Sequence, residues 1–214
     1  MKEKLLGIFQ AALIALVIVS GAIALPILFR PFFYWHIGPL NLCDMVNLTS
    51  EQVKTAYNEM IDYCIGISHT FSAGELPFSE EGASHFADVQ KLFVLDLRVL
   101  AVAGVLLLTL LLWKGKKPVR LLGHTPGFWG AIGLGVSFLV IGGLAALDFD
   151  RAFVIFHKLF FPGKDNWLFD SRKDPIINML PAEFFRNCAI LIFAVILLSC
   201  AALLVWDWKK THKK

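Results

Sequence analysis

Residues 5–29 read LLGIFQAALIALVIVSGAIALPILF, a stretch without a single charged side chain. A helix of about 20 apolar residues crosses the ~30 Å hydrocarbon core of a bilayer, so this run is long enough to span one. The basic pair Lys2 and Lys4 precedes it, and Ala22-Ile23-Ala24 offers a small-x-small pattern, as at the end of a signal peptide. The run nevertheless exceeds the ~7–15 residues of a signal peptide's apolar core. Pro26 also sits immediately after the would-be cleavage site, and a retained span is predicted. Three further uncharged apolar runs lie at 99–113, 128–147 and 188–206. The 214 residues are 57% hydrophobic and 17% charged, where soluble domains carry roughly 25% charged residues. An ordinary soluble domain, a disordered chain, a coiled coil and a disulfide-rich scaffold are all excluded. The predicted fold class is an all-α membrane protein, one integral domain with four transmembrane helices at about 5–29, 93–113, 127–147 and 187–206.

Charge sets the expected orientation. The short flanks contain Lys2, Lys4, Lys114, Lys116, Lys117, Arg120, Lys209, Lys210, Lys213 and Lys214 against only Glu3 and Asp207. Basic flanks stay on the cytoplasmic side, so both termini and the loop 114–126 are expected inside. The segments 30–92 and 148–186 are then outside, and they hold nearly all the acidic residues. The net charge of +3 thus conceals a basic inner and an acidic outer face. It reads as a topology and lipid-surface signal, with membrane lipids rather than nucleic acid or nucleotide as partners.

The outside segments are too long for plain connectors. Thr49-Ser50-Glu51-Gln52 reads as a capping box, and Val53, Ala56, Tyr57, Met60, Ile61, Cys64 and Ile65 then recur at helical spacing. This predicts an amphipathic helix on the membrane surface or on the spans. A second helix is expected from near Ala83 into the second span, with Asp96 and Arg98 in the outer part of the bilayer. In the other segment Phe149, Phe153, Phe156 and Phe160 form a stripe on a short helix that ends at Pro162-Gly163. Together the two segments are predicted to make a small helical outer cap with an apolar floor, suited to a lipid-tailed substrate.

Six histidines are present. His36 and His69 read as surface or packing residues, and His124 and His212 as part of the basic flanks. His85 and His157 remain, one on each outside segment, and a pair of imidazoles can act as base and acid near neutral pH. Asp88 shares a helical face with His85 and is a candidate to hold its tautomer. Asp150 lies seven residues before His157, too distant to orient it on a helix. Cys43, Cys64, Cys188 and Cys200 form no CxxC pair, and no metal-binding, nucleotide-binding or nucleophile-elbow signature is present. Neither metal nor cofactor is expected.

HFADVQKLF (85–93) and LDFDRAFVIFHKLFFPGKDNWLFDSRKDPIINMLPAEFF (147–185) resemble the bacterial integral membrane family that includes the lipoprotein intramolecular transacylase of low-GC Gram-positive bacteria. The resemblance rests mainly on the Asp-Phe-Asp approach to Phe156-His157, then Trp167, Phe169-Asp170, Asp174, Leu180-Pro181 and Phe184-Phe185. Ser171 stands where the pattern would have proline. The resemblance implies transfer of the sn-2 acyl chain of a diacylglyceryl-cysteine to the α-amine of the same cysteine, giving an N-acyl S-monoacylglyceryl lipoprotein. The implied partners are diacylated lipoproteins, and the implied localisation is the bacterial cell membrane with the site on the outer side. His157 is assigned as base and His85, oriented by Asp88, as acid or oxyanion stabiliser, the reverse being nearly as good. Arg98, Asp150 and Asp174 are supporting candidates for headgroup or peptide. Phe153, Phe156, Phe160 and Trp167 would wall the acyl chains. The competing readings are a non-enzymatic membrane accessory protein and, less favoured, a four-span thiol oxidoreductase.

Overall fold

The computed structural model describes residues 2–114 and 119–212, without the side chains of residues 2 and 114. Lys116, Lys117, Lys213 and Lys214 of the basic flanks lie outside the described residues. The helices are α1 (Lys2–Leu28), α2 (Pro31–Tyr34), α3 (Leu42–Val46), α4 (Ser50–Cys64), α5 (Glu80–Lys114), α6 (Pro126–Leu147), α7 (Phe149–Phe160), α8 (Ile176–Met179) and α9 (Ala182–Thr211). No strand occurs among the described residues. Four of these helices, α1, α5, α6 and α9, are long and apolar enough to cross a membrane. α5 and α9 extend well beyond their apolar cores. α5 is about 52 Å long at 1.5 Å per residue, well over the ~30 Å of a hydrocarbon core. Its uncharged run, 99–113, occupies the C-terminal half, so His85 and Asp88 precede the part that would sit in lipid.

The chain divides into two compact units. One unit, Met1–Ala24, Asp96–Ala146 and Ile190–Lys214, has a narrow core of small and slender residues, Ala22, Ala131, Ile196 and Cys200. Small side chains let helices approach without help from water-driven burial. Leu108, Leu112, Val140 and Leu198 are exposed, as an apolar surface in contact with lipid requires. One polar cluster departs from this pattern. Asp207 is 2% exposed and accepts from the backbone N–H of Thr125 and from His124 Nδ1, both at 2.7 Å. These bonds tie the 119–125 connection to the end of α9, so the half-exposed His124 of the flank is anchored on a buried carboxylate.

The other unit is Leu25–Leu95 and Leu147–Ala189. Its core is built on the predicted apolar face of α4: Val53, Ala56, Tyr57, Met60, Ile61 and Cys64 are all buried. The capping box forms, with Gln52 N–H donating to Thr49 Oγ1 and the Gln52 side chain reaching back to Thr49 N–H at 2.9 Å. The face is buried inside the unit, and the first turns of two of the long apolar helices help to cover it, through Phe86 of α5 and Phe184 of α9. It is covered from within the unit by Phe33, Leu42, Ile176, Met179 and Phe184, with Phe33 stacked on Tyr57 at 3.8 Å. α2, α3 and α8 supply a partner that periodicity along α4 alone could not reveal.

Candidate active site

His85 stands on the second turn of α5, and the start of that helix is fixed from the distant segment 148–186. Asp174, 3% exposed, accepts the backbone N–H of Ser79 at 2.7 Å and the Ser79 hydroxyl at 2.8 Å. Ser79 Oγ in turn accepts from Gly82 N at 2.9 Å, satisfying a first-turn donor that has no partner inside the helix. A Cβ at Gly82 would collide with the Asp174 carboxylate, so only glycine lets the carboxylate come this close. The helix therefore begins at Glu80, three residues before the expected Ala83, because the cap lies outside the apolar pattern.

His157 stands near the end of α7. Asp148 caps this helix by accepting from Arg151 N at 2.9 Å, while Asp150 is exposed and bonded to no described side chain. His157 Nδ1 lies 2.8 Å from the Phe153 carbonyl oxygen. A carbonyl only accepts, so Nδ1 carries the proton and Nε2 keeps its lone pair. The ring is held between Phe153, with centroids 4.2 Å apart, and Trp167, stacked at 4.7 Å. Trp167 arrives because α7 stops at Pro162 and Gly163 turns the chain at φ +71°, a left-handed conformation that glycine adopts without steric cost. Trp167 Nε1 then donates to Lys164 O at 2.9 Å, closing the loop on itself.

The two imidazoles meet. Their ring centroids are 5.9 Å apart with planes at 31°, and His85 and His157 are 5% and 8% exposed. Phe161 lies against both, at 4.9 and 5.7 Å, and Phe169 meets the His85 edge at 5.4 Å. Burial pushes the His85 pKa down to about 4, helped by the charge of His157 and of Lys164 and opposed by Asp88 and Asn166. Burial also lowers the His157 pKa, against the Phe153 carbonyl. Both rings are accordingly neutral at pH 7.

Asp88 is buried beside the pair, but its oxygens are engaged elsewhere. Lys91 reaches Oδ1 at 3.0 Å, and Lys164 and Asn166 reach Oδ2 at 2.5 and 3.2 Å. Burial alone would raise its pKa; the hydrogen bonds from Lys164, Lys91 and Asn166 outweigh this and bring it down to about 2. The expected direct hold of Asp88 on the His85 ring is thus replaced by contact with two ammonium groups and an amide. Asp174 caps α5 rather than pointing at the rings. Arg98 belongs to the other unit, exposed on the apolar half of α5. Phe153 and Trp167 flank His157, whereas Phe156 and Phe160 are about half exposed, at 48% and 47%.

Lys164, Asn166, Phe161 and Ser79 went unrecognised in the sequence. The one available signal was the polar KDN (164–166) directly after the Pro-Gly break in an otherwise aromatic segment. Cys43 and Cys64 are free thiols, and burial pushes Cys64 up to about 12, far from the reactive thiolate that thiol exchange requires. What the site offers is two buried, neutral imidazoles side by side among aromatic rings, an arrangement able to take up a proton and hand it on.

Comparison with known proteins bears on that chemistry. No curated protein sequence matches the chain. Three solved structures do, all of the membrane integral lipoprotein intramolecular transacylase Lit from Bacillus cereus. The first has 28% identity and a TM-score of 0.85, covering 100% of this chain and 99% of that one. A form of that protein with an H85R mutation has 28% identity and a TM-score of 0.77 over 99% of this chain and 94% of the other. A form with an H85A mutation has 27% identity and a TM-score of 0.71 over 100% and 96%. The family described as lipoprotein intramolecular transacylase Lit matches residues 8–185, a stretch that contains both histidines, their aromatic clamps and the cap of α5. This multi-pass membrane protein therefore belongs to the lipoprotein intramolecular transacylase family.

Proposed function

We propose that the protein moves the sn-2 acyl chain of a lipoprotein's diacylglyceryl-cysteine to the α-amine of the same cysteine. The observation that carries this reading is the meeting of His85 and His157, buried and neutral, with ring centroids 5.9 Å apart. The reaction needs no nucleophile from the protein, because the substrate's own amine attacks the ester carbonyl. It needs a base, because an α-amine has a pKa of about 7.7–8.0 and is mostly charged at neutral pH. It also needs a proton for the departing glyceryl oxygen and a restraint that brings amine and ester together.

In this reading His157 Nε2 takes the proton of the amine as the N–C bond forms. The tetrahedral carbon then collapses, the bond to the sn-2 oxygen breaks, and the imidazole pair delivers one proton to that oxygen from the His85 side. Counted from the neutral amine, the products are an amide and a free hydroxyl with no net change in protons; the charged amine first gives up one proton to solvent. Two imidazolium charges at this separation repel, so the pair holds one proton at a time, which suits a shuttle. Phe153 and Trp167 wall the acyl chain beside the His157 ring, and Phe156 and Phe160 meet lipid on the exposed face of α7. Arg98 and Asp150 remain candidates for the headgroup and the peptide start.

The same reading places both termini in the cytoplasm, the segments 30–92 and 148–186 outside as a cap, and the histidine pair on the extracytoplasmic side, supported by the basic flanks. Mass spectrometry of lipoprotein N-terminal peptides from cells with and without the protein tests it. An N-acyl, S-monoacylglyceryl cysteine is expected only when the protein is present. A diacylglyceryl cysteine that never gains an N-acyl group would refute it.

A further inference from the structure

The segment after the Pro162-Gly163 turn also bears on His85. Asn166 Nδ2 donates to Asp88 Oδ2 at 3.2 Å and to Ser84 Oγ at 3.3 Å. Asp88 is held ionised by Lys164 and Lys91, and an ionised carboxylate only accepts. The atom of Asn166 that faces it must therefore be the amide nitrogen, and the amide cannot flip without setting oxygen against oxygen. Asn166 Oδ1 is thereby committed as an acceptor on the opposite side of the amide. Asn166 Oδ1 and His85 Nδ1 are both buried, and neither makes a hydrogen bond of ordinary geometry with any described residue. Buried polar atoms left single are rare and call for a partner. The Asn166 side chain lies close enough to His85 to favour its charged form, alongside Asp88 and against His157 and Lys164. These are the titratable and polar groups that face the ring; its remaining neighbours are Phe86, Phe161 and Phe169.

We infer that Asn166 is a positioning residue for His85: its Oδ1 accepts a hydrogen bond from Nδ1–H and holds the ring in the tautomer that leaves the Nε2 lone pair free. Asp88 then acts on His85 through the amide, and Lys164 acts on the amide through Asp88. The inference rests on the reading of His85 as half of the acid–base pair and extends it to how that half is prepared. His157 is prepared by other means, through the Phe153 carbonyl, so both rings present the same nitrogen. Adjacent residues, Asn166 and Trp167, brace one imidazole each.

The test is nitrogen NMR of the full-length protein in detergent micelles with 15N-labelled histidine, the His85 signals being assigned by their loss in His85→Gln. In the wild-type protein at neutral pH, His85 is expected to show a protonated Nδ1 and an unprotonated Nε2. Asn166→Leu is expected to shift the ring to the other tautomer or to a mixture and to lower kcat roughly 10-fold or more, with KM little changed. Asn166→Asp keeps an acceptor for Nδ1 and adds negative charge, so His85 should titrate at higher pH than in the wild type and the acid limb of the rate profile should move with it. A residue that merely packs would leave tautomer and titration unchanged. The inference is overturned if wild-type His85 carries its proton on Nε2, or if Asn166→Leu folds and leaves the tautomer as it was. If Asn166→Leu fails to fold, the wild-type tautomer and the Asn166→Asp titration decide. Full transfer activity in His85→Gln would instead sink the acid–base reading and leave the tautomer assignment standing.

Discussion

Asp174 receives both the backbone N–H and the hydroxyl of Ser79, a residue 95 positions earlier in the chain. The pair joins the segments 30–92 and 148–186 at the start of the helix that carries His85. Asp174→Ala leaves buried donors without an acceptor, a loss of about 2–3 kcal/mol for hydrogen bonds to a charged group. Thermal unfolding in detergent should show the loss, and Gly82→Ala should mimic it by pushing the carboxylate away. An unchanged melting temperature in both variants would mean that the cap does not stabilise the fold.

Asp88 gives the unit that holds the histidine pair a sensitivity to acid. Its carboxyl titrates near pH 2 in the folded protein and near 3.9 in an unfolded chain. A group whose folded pKa is depressed contributes stability above its unfolded pKa and loses it as pH falls towards the folded one. Denaturant unfolding should therefore show this contribution intact above about pH 4 and lost between about pH 4 and 2. Asp88→Asn should flatten the wild-type dependence in that window.

His85→Ala and His157→Ala should each reduce acyl transfer by roughly 10²-fold or more, with membrane insertion and protein level preserved. In the proposed reaction the two rings handle one proton, so the double variant should be little worse than either single one. Purified variants assayed on a diacylated lipopeptide would show this by mass spectrometry. Wild-type turnover in either single variant would remove that histidine from the chemistry.

The thiols should be dispensable for turnover. Cys64 lies in the apolar core and Cys43 is a separate free thiol. Cys43→Ser should transfer acyl chains at the wild-type rate, and reducing agent should not alter it. Cys64→Ala should lose stability by creating a small cavity yet keep its activity while folded. Inactivation by removal of either thiol in folded protein would revive a redox role.

The elements that could be read from the sequence are those whose signal is local. The four apolar runs and the Thr49 capping box each occupy a few consecutive turns, and α7 is bounded by an N-cap and a Pro-Gly stop. The two histidines stood out by elimination among six and by the motifs around them. What was not legible is contact at long range. Lys164 meets Asp88 across 76 positions, and Asp207 meets His124 across 83. Helical spacing correctly put Asp88 on the His85 face, but spacing cannot say that two lysines and an amide occupy its oxygens. The covered face of α4 illustrates the same limit, since an amphipathic stripe says that something covers it and not what.

The break at Pro162 and Gly163 has a further consequence. Counted along the chain, His157 and the Trp167 that clamps it are ten residues apart, with the turn between them and Asn166 just before the clamp. One inserted or deleted residue in that interval would move the indole off one imidazole and the amide off the other at the same stroke. The composition of this stretch can drift, because Lys158, Leu159 and Asp165 point away from the rings into the surroundings. Its length cannot. A constraint of this kind shows itself as intolerance of insertions where point substitutions are tolerated.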